Sequence, residues 1–137
     1  MDINKLKKKG FNEKQIEEIN LGLKQGLNIE IYAKKEFSAG QMAKIRDGLE
    51  KGLNVSIYAK PEFEEFQMYE IRLGLEEGLD VSIYAKPEFN NWQMREIRLG
   101  LEENIDISLY LNSNLAEDQM ANIRNYLLER KRAGLND

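Results

Sequence analysis

The chain has 137 residues, 42% of them hydrophobic and 32% charged, the balance of one folded domain rather than of a disordered or membrane-embedded segment. Its 24 acidic and 20 basic residues are interspersed and leave a formal charge of −4, so no broad field of one sign favours nucleic acid. Cysteine and histidine are absent, which removes disulfides, thiolate chemistry, the commonest metal ligand and the commonest general base near neutral pH.

The start, Met1-Asp2-Ile3-Asn4-Lys5, lacks the apolar stretch of a signal peptide. No apolar run reaches the roughly 18 to 20 residues of a membrane helix, so a cytoplasmic protein without a membrane partner is expected. Asp2-Ile3-Asn4-Lys5-Leu6 aligns with Asn28-Ile29-Glu30-Ile31-Tyr32 further along, so residues 1–10 read as an N-terminal half-repeat cap. A 26-residue phrase then begins at Phe11, Phe37, Phe63 and Phe89, and again at Leu115. The repeats are 11–36, 37–62, 63–88 and 89–114, with a partial capping repeat over 115–137. A fixed period of this size marks stacked supersecondary units.

Each repeat predicts a long helix followed by a short one. Asn12 with Gln15, Ser38 with Gln41 and Asn90 with Gln93 form capping boxes, each beside a hydrophobic staple such as Phe37 with Met42. The third and fifth copies keep the glutamine but place Glu64 and Ala116 at the cap. Met42, Ile45 and Leu49 then make one apolar stripe. Gly26, Gly52 and Gly78, with Asn104 in the fourth copy, stop the long helices in the left-handed conformation. Asn28, Asn54, Asp80 and Asp106 open the short helix, and Pro61 and Pro87 are expected to end it. A strand over Val81-Ser82-Ile83-Tyr84 is the alternative, favoured by β-propensity but opposed by the cap before it. The predicted fold is all-α: a single domain forming a short α-solenoid of about 4.5 helix-pair repeats, right-handed by analogy with other such arrays.

The phrase Ile71-Arg72-Leu73-Gly74-Leu75-Glu76-Glu77-Gly78-Leu79-Asp80-Val81-Ser82-Ile83-Tyr84-Ala85 resembles repeats in uncharacterised proteins encoded on phages, plasmids and conjugative elements of Firmicutes. The resemblance spans residues 11 to about 127, and the end copies depart from it at Asn20 and Tyr126. It implies an accessory protein of a mobile element and carries over no catalytic residues. Inhibition of a host-defence enzyme enters by analogy with other small mobile-element proteins.

Some repeated columns read as structure. The glutamines are explained by capping, and Tyr32, Tyr58, Tyr84 and Tyr110 fall on the buried side of the short helix. Gly22, Gly48, Gly74 and Gly100 lie inside helices, where glycine costs about 1 kcal/mol, so something must approach closely there: the neighbouring short helix or a ligand. Arg46, Arg72, Arg98 and Arg124 form a ladder that either pairs with carboxylates such as Asp80 or Asp106, or with helix-end carbonyls, or binds phosphates or an acidic partner.

The columns that differ between copies point elsewhere. Phe66, Tyr69 and Leu73 of the third copy, and Trp92, Arg95 and Leu99 of the fourth, share three columns on the long helices. The second copy has Gly40, Ala43 and Asp47 there. Aromatic, arginine and leucine side chains at these positions have the composition of a binding hot spot. Packing between copies and self-association are the alternatives. Catalysis is not expected: the serines have no evident activating base, no phosphate loop is present, and no metal or cofactor is called for. The reading is a non-enzymatic protein-binding module, with an anion or nucleic-acid binder or a self-associating structural protein as alternatives.

Overall fold

A computed structural model describes residues 3–135, and these residues form helices and turns with no strand among them. The long elements are α1 (Ile3–Lys8), α2 (Glu13–Lys24), α3 (Ala39–Glu50), α4 (Glu65–Glu76), α5 (Asn91–Glu102) and α6 (Glu117–Arg132). Asp2 of the predicted cap lies outside the described residues. The chain forms two compact units, Met1–Arg72 and Leu73–Asp137, with the boundary inside α4. In the first unit α1 packs on α2 and α2 on α3; in the second α5 packs on α6. The fold is all-α, and consecutive helices pack as repeats within each unit.

The helix boundaries follow the predicted punctuation. Asn12, Ser38 and Asn90 accept from the backbone N–H of Gln15, Gln41 and Gln93, and each glutamine Oε1 accepts in return from the cap residue's N–H at 2.8 Å. At Glu64 and Ala116 the reciprocal bond to the glutamine Oε1 survives, at 2.8 and 2.9 Å. Gly26, Gly52 and Gly78 have φ of 71–72° and Asn104 has 54°, closing each helix with a bond from the following N–H to the carbonyl five residues back. The fifth copy has Arg130 in the stop column, so α6 runs on for 16 residues until Gly134, φ 77°.

The predicted short helix is smaller than expected: a single 3₁₀ turn at Ile29–Ile31, Val55–Ile57, Val81–Ile83 and Ile107–Leu109. A helix this short gains too few bonds to offset nucleation, so one turn forms between its cap and its tyrosine. Asn28, Asn54, Asp80 and Asp106 each accept from the N–H two residues on. The prolines do not end it. Repeats with Lys35 or Ser113 in the proline column stop at the same tyrosine as those with Pro61 and Pro87.

The cores use the same columns in each copy. Ile19, Met42, Ile45, Phe37, Val55 and Phe63 are buried in the first unit, and Val81, Met94, Ile97 and Met120 in the second. The four tyrosines are fully buried with them. Each buried side chain of this size contributes about 1.5–3 kcal/mol, an amount that one 26-residue unit cannot collect alone.

Candidate protein-binding surface

The glycine column is explained by the tyrosine column. A Cβ at Gly22, Gly48, Gly74 or Gly100 would overlap the hydroxyl of Tyr32, Tyr58, Tyr84 or Tyr110 and crowd the Ile or Val that opens the same turn. The approach therefore comes from the repeat's own 3₁₀ turn, which leaves no space for a ligand. The hydroxyls of Tyr32, Tyr58 and Tyr110 donate to the carbonyls of Glu18, Lys44 and Glu96 at 2.6–2.9 Å. Burial raises the Tyr32 hydroxyl to about 12 and that of Tyr110 higher still.

The glutamines do more than cap. Nε2 of Gln15 donates to Phe37 O at 2.7 Å, Nε2 of Gln41 to Phe63 O at 2.6 Å and Pro61 O at 3.1 Å, and Nε2 of Gln93 to Ser113 O and Leu115 O at 2.9 and 2.8 Å. Each amide thus joins its helix start to the loop one repeat onward. The signal was present in the sequence: glutamate serves a capping box equally well, yet all five copies use the residue that also carries a donor.

The arginine ladder is held by carboxylates, though not by Asp80 or Asp106, whose side chains cap the 3₁₀ turns. Arg46 Nε meets Glu18 at 2.7 Å. Arg124 meets Glu96 at 2.8 Å and Glu103 at 2.7 Å. Arg98 Nη1 lies between Glu77 and Glu102, at 3.4 and 2.5 Å. The sharing of a proton with Glu102, followed by desolvation, raises the Glu77 carboxyl to about 7. Fixed carboxylates on Arg46, Arg98 and Arg124 support the structural reading of the ladder over the anion-binding one. At the chain's basic end, Lys131 Nζ donates to Glu103 O and Asn104 O, the carbonyls that close α5.

The copy-specific residues divide into groups. Phe66 is 62% exposed and Trp92 54%, both in the first turn of their helices. Arg95 is exposed, while Leu73 and Leu99 are half-buried. Tyr69 is 37% exposed and has an internal duty: Lys44 Nζ and Arg72 Cζ lie 5.4 and 5.2 Å from its ring centroid. Lys44 occupies the column that holds Glu18 and Glu96, the partners of Arg46 and Arg124, in other copies.

Among the described residues no group of three or more acidic side chains is placed to hold a metal ion, and no helix is long and apolar enough to cross a membrane. Comparison with family models, curated proteins and solved structures finds no match.

Proposed function

We propose that the chain is a non-catalytic helical-repeat module that binds another protein through the first turns of α4 and α5. The observation that supports this is the exposure of Phe66 and Trp92 in a column that holds Lys14, Gly40 and Asp118 in the other copies. Packing that repeats would need the same side chain in every copy, and large aromatics left in water are the usual anchors of an interface. Arg95, exposed one turn beyond Trp92, adds a residue type enriched in such anchors. A cytoplasmic accessory factor of a mobile element is part of this reading, from the resemblance of the repeat, with a host-defence enzyme as the class of target by analogy with other small mobile-element proteins.

The test is photo-crosslinking in cells from a benzophenone amino acid placed at position 66 or 92, with the exposed positions 14 and 118 of the same column as matched controls. The expected result is one protein captured from both aromatic positions and neither control. Equal capture from all four positions, or capture of a second copy of this chain alone, overturns the proposal.

A further inference from the structure

A second copy-specific difference lies in the loop that follows each 3₁₀ turn, on a surface that the protein-binding reading does not use. The loop lysine recurs as Lys8, Lys34, Lys60 and Lys86. At Lys60 and Lys86 it is followed by Pro61-Glu62 and Pro87-Glu88, so each cation has a carboxylate two residues away. Near the N-terminus, Lys9 and Lys35 stand in the proline column, and Gly10 stands in the glutamate column.

These substitutions meet in one recess. The turn between α1 and α2 and the loop 33–36 enclose a groove of about 520 Å³ walled by Lys8, Lys9, Lys34 and Lys35, with Leu6 and Phe11 beneath. Glu36 is the single acid in its lining. Gly10 has φ 97°, and a Cβ there would meet Lys35 Cδ at 3.3 Å and Nζ at 3.7 Å, so this ammonium lies across the turn. All four lysines are exposed, and among the described residues none has a side-chain ion-pair partner. The equivalent groove in the second unit, about 460 Å³, has Lys86 facing Glu88, Ser108, Asn112 and Ser113. It has nearly the same volume without the concentrated charge, which makes it an internal control.

We infer that the N-terminal groove binds a compact polyphosphate, such as a nucleoside triphosphate or an inorganic polyphosphate chain. Its volume lies within the roughly 300–1,000 Å³ of small-ligand sites. Ammonium groups converging from two loops suit several phosphate oxygens at once. The ligand is compact because the positive stretch is short: Glu36 stands at the end of its lining and Glu62 balances Lys60 in the next repeat, where an extended nucleic acid would meet carboxylates.

The experiment is calorimetric titration of the full chain at low salt with tripolyphosphate, ATP, a single-stranded oligonucleotide and poly-glutamate. Tripolyphosphate and ATP bind, and affinity falls about tenfold or more in Lys9→Ala/Lys35→Ala, which removes two charge-assisted contacts. Lys60→Ala/Lys86→Ala, in the balanced loops, leaves it within about twofold. Equal affinity for the two ligands means that the groove reads the phosphate chain alone; tighter ATP binding means that the nucleoside adds contacts, and both support the inference. It is overturned if neither ligand binds, if Lys9→Ala/Lys35→Ala binds as well as wild type, if both double variants weaken equally, or if the oligonucleotide or poly-glutamate binds more tightly. Circular dichroism of each variant confirms that these exposed positions leave the fold intact.

Discussion

Along the inner seam, Gly22, Gly48, Gly74 and Gly100 each lie under the tyrosine of their own repeat, whereas the first-turn column of the same helices holds Lys14, Gly40, Phe66, Trp92 and Asp118. One column is constant because a Cβ has no room; in the other, Lys14, Phe66, Trp92 and Asp118 stand exposed, and only Gly40 is crowded, by Glu65 of the next repeat. What repeats in this molecule is what packs, caps or pairs. What does not repeat is free to be chosen for something outside the fold. Tyr69 marks the boundary between these two kinds of residue: it varies between copies, yet its ring is engaged by Lys44 and Arg72.

Breaking the seam has the largest expected effect. Tyr58→Ala removes a fully buried ring and its bond to Lys44 O, and we expect a loss of about 3–5 kcal/mol in urea unfolding. Gln41→Glu is subtler, since the cap is kept while the donor to Phe63 O and Pro61 O is replaced by a carboxylate facing two carbonyls. A loss of about 1–3 kcal/mol is expected, whereas an unchanged midpoint would reduce glutamine to a cap.

A smaller effect comes from Glu77. Its folded pKa of about 7 exceeds its ordinary value of 4.5, so between these values the folded state holds the extra proton. Its contribution is most favourable below pH 4.5 and is lost as pH rises through 7. Thermal melts should show a slight gain in stability attributable to this group on going from pH 7.5 to 5, and Glu77→Gln should remove that gain. Because Glu77 is 40% exposed, the effect is small and falls with added salt.

Much of the fold was legible because helix ends are governed by local chemistry. Asn12, Ser38 and Asn90 cap, Gly26 and Asn104 stop, and the structure places them so. The 3₁₀ turns read as helices in the sequence because the cap and the apolar spacing look alike whether one turn follows or two. Pro61 and Pro87 suggest an ending that falls at the tyrosine with or without them. The candidate surface was legible only as a difference between copies. Tyr69 is engaged by Arg72, one turn on, and by Lys44, 25 residues back, and no local pattern reveals the second contact.

The central claim is that the first-turn aromatics serve no packing role, and it is tested most directly by giving them the residues that the same column carries in the end copies. Equilibrium urea unfolding of Phe66→Lys/Trp92→Asp should give a free energy within about 0.5 kcal/mol of wild type, as for other surface substitutions. A loss of about 2 kcal/mol or more, the size expected for buried side chains, would place both rings in the packing and contradict the account.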